Sequence, residues 1–230
     1  MNKKFYFIQI EGTDGCGKQT QANLLKQALT LLGFNVVSLS FPNYSSEGCG
    51  AVKMYLRGEF GDNANDVDAY QASSFFMVDR LTTMLKLKNE IGDGDIIICD
   101  RYVESNLIHQ ASKLNEDEQD EYANWLINTE YNILKLPKAD LILFLNMPID
   151  VSLNFAHSRT NLKTGDSKDI HENNNDYLIK SYKTGLKYAK ILGWEIIDCA
   201  ENGNPKTIEE INKNILKVVT QKLEKFKNTL

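Results

Sequence analysis

No run of apolar residues in this chain approaches the roughly 18 that a bilayer span requires, and Met-Asn-Lys-Lys leads straight into a strand-like stretch with no secretory leader between. A membrane role is not expected, and the reading is of a cytoplasmic protein. An excess of positive charge is missing too: 26 Lys and Arg stand against 31 Asp and Glu, for a formal net charge of −5. A broad nucleic-acid footprint is thereby disfavoured, and small anionic ligands are left to local basic groups. Cysteines are few and scattered at 16, 49, 99 and 199. Without a C-x-x-C pair they read as buried or free thiols, and neither a disulfide framework nor a zinc site is expected. Cys16 is the exception worth marking, because an exposed thiol beside a helix N-terminus and Lys18 is expected to have a lowered pKa. Internal repeats and low-complexity tracts are absent as well. What remains is 230 residues, 42% of them hydrophobic, enough to bury one full core, so residues 1–230 are read as a single domain.

The most informative stretch is Gly12-Thr13-Asp14-Gly15-Cys16-Gly17-Lys18, followed by Gln19 and Thr20. Before it, Phe5 to Ile10 is apolar except for Gln9 and reads as a strand. After it, Leu24, Leu25, Ala28, Leu29, Leu31 and Leu32 recur at helical spacing until Gly33. Strand, glycine loop and helix in that order form a phosphate cradle: the glycines let the loop curl with its N–H groups inward, and the helix N-terminus adds partial positive charge. Lys18 supplies a mobile ammonium, completing the G-x-x-x-x-G-K core of a P-loop spanning residues 12–20. The place after the lysine, where a P-loop carries the Ser or Thr that ligates magnesium, holds Gln19. A glutamine carbonyl oxygen is a possible hard-metal ligand on a longer and more flexible stem.

Further strands are predicted at Asn35 to Phe41, Asp95 to Cys99, Asp140 to Met147 and Trp194 to Cys199. Helices are predicted at Asp68 to Ile91, Glu116 to Leu134, Pro148 to Ser158, Asp176 to Leu192 and Ile208 to Phe226, with a short one at Gly50 to Leu56. Strands alternating with long helices imply an α/β fold, a three-layer αβα sandwich of P-loop NTPase type around a mainly parallel five-stranded sheet. The polar segment from Arg159 to Asn175 has almost no large apolar residue and reads as a lid over residues 158–176.

Ligands of open α/β sheets gather beyond the carboxyl ends of the strands. There the chain places Glu11 and Asp14, then Phe41-Pro42-Asn43-Tyr44, then Asp100-Arg101-Tyr102. Asp100 stands where a Walker B carboxylate would hold Mg²⁺, directly or through water, although Asp-Arg after a strand also fits a local salt bridge. Phe76 and Arg80 lie four apart on one helical face. Together they could stack a base and clamp a phosphate, although a core phenylalanine beside a surface ion pair is the commoner arrangement for such a pair taken alone.

As a group these residues resemble thymidylate kinase along nearly the whole chain. The resemblance rests on Glu11 to Gln21, Phe41-Pro-Asn-Tyr44, Tyr55-Leu-Arg-Gly58, Phe76 with Asp79-Arg80, Asp100-Arg-Tyr102 with Ser105-Asn106, and Leu136-Pro-Lys-Ala-Asp140. It implies transfer of the γ-phosphoryl of ATP to dTMP with Mg²⁺, in a homodimer. It also implies that Phe76 stacks on thymine, Arg80 holds the base and phosphate side, Asn106 meets the polar edge of the base, with Ser105 beside it, and Asp14 accepts from the 3′-hydroxyl. Phe41, Tyr44 and Arg101 would line the monophosphate pocket within a region spanning residues 41–80, and Pro42 would follow a cis bond. Lys18, Arg101 and a lid cation would neutralise the transferring group. Gly15 stands where some members have an arginine, so this chain matches the members that draw the cation from the lid, with Arg159 first and Lys163 or Lys168 behind it. Many relatives have Tyr at the position of His109, against the sugar, where its bulk disfavours a 2′-hydroxyl; the smaller His109 leaves that path partly open. Another P-loop nucleoside or nucleotide kinase, or a nucleotide-dependent switch, is the alternative.

Overall fold

The computed structural model describes residues 5–61, 63, 65–152 and 175–227. Five strands form one parallel sheet: β1 (Tyr6–Glu11), β2 (Val36–Ser40), β3 (Ile96–Asp100), β4 (Leu141–Asn146) and β5 (Glu195–Asp198), in the spatial order β2-β3-β1-β4-β5. Each predicted strand is present, with its ends shifted by one residue. A small antiparallel hairpin, β6 (Ala200–Glu201) with β7 (Asn204–Pro205), follows the last strand; it had no counterpart in the reading of the sequence.

Alternation along the strands sorts side chains into two cores. From β1, Tyr6, Ile8 and Ile10 join Ile96, Ile98, Leu141, Leu143 and Leu145 on one face. There they meet α1 (Lys18–Leu31) through Leu25 and Leu29, and α7 (Ile208–Lys227) through Ile211, Ile215, Val219 and Leu223. Phe7 points the other way with Ile97, Cys99 and Phe144, into a second core that, beyond the short helix α2 (Gly50–Leu56), is built with α3 (Ala69–Leu87), α4 (Ser105–His109), α5 (Glu116–Ile127) and α6 (Asn175–Ile191). Period-two side-chain direction in a strand dictates this division. It also puts Gln9 and Glu11, fully buried, on the face shared with Phe7.

Local chemistry sets the helix ends. α3 starts after Asp68, whose carboxylate accepts from Gln71 N at 2.8 Å while the Gln71 side chain accepts from Asp68 N, a reciprocal capping box. α5 continues past Ile127 as a π-helical turn, Asn128–Ile133. The wider turn carries Glu130 and Tyr131 into the interior. The helix expected from Pro148 begins at residue 149 and is described through residue 152. The rest of it, and the lid apart from residues 175 and 176, lie outside the described residues.

Candidate active site

β1 delivers the chain to the glycine loop, expected to cradle phosphate, at the carboxyl edge of the sheet. Gly12, Gly15 and Gly17 adopt φ of 145°, 81° and 88°, conformations that side chains with a Cβ rarely reach. The loop closes over Lys18, which is buried; its ammonium donates to Gly12 O at 3.0 Å and Thr13 O at 2.8 Å. α1 opens at Lys18 without a side-chain cap, so its first N–H groups are left to the cradle. Thr13 Oγ1 is buried with no hydrogen-bond partner among the described residues. Gln19 is exposed on the first turn and Thr20 half-buried. Cys16 differs from the exposed thiol expected of it: at 2% exposure it packs in the core under α1, and burial pushes its pKa up despite Lys18 nearby. The glycine loop folds inward against β4, which puts a small thiol where a reactive one would need solvent.

Beside the cradle, β3 ends at Asp100 and the chain turns sharply. Arg101 has φ of 67°, unusual for a residue with a side chain. Hydrogen bonds hold the turn: Arg101 N donates to Ile10 O at 3.0 Å, and Tyr102 N donates to Glu11 Oε1 at 2.9 Å. Glu11 also accepts from Gln9 Nε2 at 2.9 Å, and Ser105 Oγ lies 2.7 and 2.9 Å from its two oxygens. A carboxylate with three donors therefore sits directly beneath the turn. The Arg101 guanidinium bonds Asp14 Oδ1 through Nη2 and His109 Nε2 through Nη1, the latter at 2.7 Å. Burial works against its charge, yet Asp14, Glu11 and Asp100 together hold its pKa above the ordinary range. Asp100 is buried, and its Oδ1 has no hydrogen-bond partner among the described residues.

The third wall comes from the stretch after β2 and from α3. The Phe41–Pro42 peptide bond is cis. Asn43 N donates to Asp79 Oδ2 at 2.8 Å and Asn43 Nδ2 to Thr83 Oγ1 at 3.1 Å, so α3 fixes the loop that carries Tyr44. Phe41 is buried against Tyr102 and Tyr44 is exposed. Phe76 is half-buried, edge-on to Tyr55, whose hydroxyl accepts from Lys113 at 2.8 Å. Burial pulls the Lys113 pKa down to about 8. Asn106 is 2% exposed and its Nδ2 donor has no partner among the described residues.

Arg80 departs from the picture of a cation free to clamp a ligand. At 1% exposure its guanidinium grips Glu130 by two bonds, 2.7 Å from Nε and 2.5 Å from Nη2, and a third runs 3.3 Å from Nη1 to Tyr102 O. Burial opposes its charge, but the Glu130 carboxylate outweighs that and raises its pKa. Among the described residues, two of its five N–H donors have no partner. Glu130, Glu104, Lys113 and Tyr177 were not singled out in the sequence; each is joined to this wall by residues 27 to 68 positions away, a distance at which no local pattern reports.

A family model described as thymidylate kinase matches residues 10–215, most of the chain. The chain belongs to the thymidylate kinase family. The thymidylate kinase of Mycobacterium tuberculosis is 31% identical over 190 residues, covering 81% of this chain and 86% of that protein. The thymidylate kinase of Plasmodium falciparum is 28% identical over 219 residues, covering 95% of this chain and 91% of that protein. Among solved structures, a thymidylate kinase from Candida albicans superposes with a TM-score of 0.69 over 95% of this chain and 92% of that one; at 21% identity it bears on the fold alone. The family reaction is phosphorylation of dTMP, so this member of the thymidylate kinases is a nucleoside monophosphate kinase, a phosphotransferase in nucleotide biosynthesis. Its all-parallel five-stranded sheet between helical layers is the P-loop fold expected. Among the described residues, no helix is long and apolar enough to cross a membrane.

Proposed function

We propose that the chain transfers the γ-phosphoryl of ATP to dTMP, giving dTDP, and that residues 1–230 act as one catalytic unit with the P-loop at 12–20, the monophosphate region at 41–80 and the lid at 158–176. The observation that carries the reading is the bond from Arg101 to Asp14, which ties the acceptor-side cation to the donor cradle. An acceptor phosphate is already nucleophilic at neutral pH. Catalysis is therefore alignment of donor and acceptor plus neutralisation of charge on the transferring group, and no general base is needed.

Each side chain has a part in that alignment. The P-loop N–H groups and Lys18 hold the donor phosphates; Arg101 holds the acceptor phosphate with Tyr44 beside it; Asp14 accepts from the 3′-hydroxyl. Phe76 offers a ring face for thymine, backed edge-on by Tyr55. Asn106, whose buried Nδ2 has no partner among the described residues, and Arg80, with the N–H groups that have none there, meet the base edge. The donor set at the end of β3 fits Mg²⁺, since Asp100 Oδ1 is a buried carboxylate oxygen with no partner among the described residues. Asp100 would hold the ion and Gln19 would reach it less rigidly; Mg²⁺ supplies neutralisation of phosphate charge when bound. Arg159, with Lys163 and Lys168 behind it, remains the proposed lid cation.

We place the enzyme in the cytoplasm and propose a homodimer. Val78 and Leu85, seven residues apart on α3 and 50% and 61% exposed, support a subunit contact there.

The test is turnover with ATP and dTMP, thymidine or dUMP in parallel, with the product identified. Production of dTDP from dTMP in clear preference is expected; phosphorylation of thymidine instead would reassign the acceptor. Lys18→Ala should keep its circular dichroism spectrum and lose at least about a hundredfold in kcat, on the order of 3 kcal/mol of transition-state stabilisation. Near-normal turnover in that variant would overturn the role of the P-loop lysine.

A further inference from the structure

We propose that His109 is a positioning residue for Arg101: its neutral imidazole accepts a hydrogen bond from Nη1 and, opposite Asp14 on Nη2, holds the guanidinium in one orientation toward the acceptor phosphate. The inference rests on the proposed role of Arg101 in holding that phosphate. Nη1 lies 2.7 Å from His109 Nε2, and Nη2 bonds Asp14 Oδ1. A guanidinium has only donors, so the direction of the first bond is fixed by chemistry. His109 Nε2 must be the acceptor, and the imidazole proton resides on Nδ1.

The surroundings hold the ring at this task. α4 is short, and its C-terminal carbonyl at His109 accepts from Ser112 Oγ at 2.9 Å and from Tyr177 Oη at 2.9 Å. The Tyr177 ring stacks beside the imidazole at an interplanar angle of 28°, 6.3 Å between centroids. Backbone and ring are thus anchored from α6 and from the turn Ala111–Lys113. On the other side, Arg101 leaves the sheet at its unusual φ, with its backbone secured to Ile10 and its side chain needing its own restraint. Arginine has four flexible side-chain torsions, and a bidentate contact to phosphate is effective only when the fork is oriented beforehand. Asp14 alone restrains one nitrogen. His109 restrains the other, so the fork is held at two points before any ligand arrives.

Two measurements test the assignment independently. Nitrogen-15 NMR of the imidazoles in the unliganded parent reads the tautomer directly; the chain has three histidines, and loss of one signal set in His109→Gln identifies the resonances. Protonation of Nδ1 with a bare Nε2 is expected, and a proton on Nε2 would overturn the proposal. Because this uses the parent protein, it decides the contact even where a variant fails to fold. In kinetics, His109→Phe keeps a ring and removes the acceptor. It should lower kcat/KM for dTMP about tenfold or more, the worth of one hydrogen bond to a charged group, with KM for ATP unchanged. His109→Gln, whose side-chain oxygen reaches as far as Nε2, should restore most of the loss. In an Arg101→Lys background, His109→Phe should have no further effect, since His109 acts through Arg101. Full activity in His109→Phe, no recovery in His109→Gln, or a full additive loss in the Arg101→Lys background would each overturn it. Failure of the parent to make dTDP would instead count against the proposed reaction, with the tautomer still deciding the His109–Arg101 contact.

Discussion

Arg80 carries its charge into the interior on the same helix as Phe76, and Glu130 is what makes that possible. A guanidinium buried to 1% exposure loses its hydration, and two bonds to one carboxylate replace it in the planar geometry that arginine favours. The pair also couples α3 to the π-helical turn after α5. Glu130→Ala would leave the guanidinium buried without its counter-charge, so we expect a loss of about 3–5 kcal/mol in urea unfolding. Replacing both partners by apolar residues, Arg80→Met with Glu130→Leu, should recover most of that. If Glu130→Ala unfolds like the parent, the pair does not carry the charge as described. Reading Phe76 and Arg80 from sequence left two assignments open, a ligand clamp or a core ring beside an ion pair. The residue types and their spacing were legible; the partner was not, because it lies 50 positions away. The same limit applies to Cys16, which is buried in a core cluster that draws residues from β1, β3, β4, α1 and α7.

At the scale of elements, what was readable followed from periodicity. β1, β3 and β4 have buried apolar runs, and α7 has a stripe from Ile211 to Leu223, so each was placed to within a residue or two. α4 and the Ala111–Lys113 turn span five and three residues, too short for a helical period to register, yet they carry Ser105, Asn106, His109 and Lys113. The β6–β7 hairpin turns through Asn202 and Gly203, both at positive φ, with only two residues in each strand. The P-loop lies at the opposite extreme, because its glycines are required by backbone shape. A Cβ on Gly12 would lie 2.7 Å from Cys16 Sγ and 3.0 Å from Leu145 O, whereas one on Gly17 would meet nothing within 4 Å. Gly17→Ala therefore carries only the left-handed backbone penalty, about 1–2 kcal/mol. Gly12→Ala adds a clash with Cys16 Sγ and a tight contact with the backbone of β4. Thermal melts should show the larger drop for Gly12→Ala, and added ATP, expected to raise the melting temperature of the parent, should fail to raise that of this variant. Equal melting temperatures for the two variants would contradict the close approach at Gly12.

Taken whole, the molecule packs an apolar core on each face of its sheet, and on one of them buries polar groups under the site. Against α1 and α7 the buried side chains of the strands are apolar except for Asp100 at the end of β3. Beneath the site, the opposite face holds Gln9, Glu11, Asp79, Glu104 and Glu130 with Arg80, buried where an ordinary core would have aliphatic residues. Such a cluster ties overall stability to pH. Glu104 is the clearest case: burial, more than any neighbour, lifts its pKa from 4.5 to about 7, opposed by the Tyr131 hydroxyl bonded to Oε1 at 2.7 Å and by Gln9, and reinforced by the charge of Glu11. Below about pH 4.5 Glu104 is protonated in both folded and unfolded chains and contributes no pH dependence. Between 4.5 and about 7 the unfolded chain has released its proton while the folded one keeps it, so stability falls as pH rises; above about 7 both are ionised and the dependence ends. Glu104→Gln removes the titration and leaves a neutral group of the same shape. Urea unfolding at pH 5 and pH 8 should therefore show a smaller loss of stability on going to pH 8 in Glu104→Gln than in the parent, with the difference on the order of 2–3 kcal/mol at most. An identical pH dependence in the two proteins would mean that Glu104 is already ionised in the folded state at pH 5, and that solvent or its neighbours offset the cost of burying it.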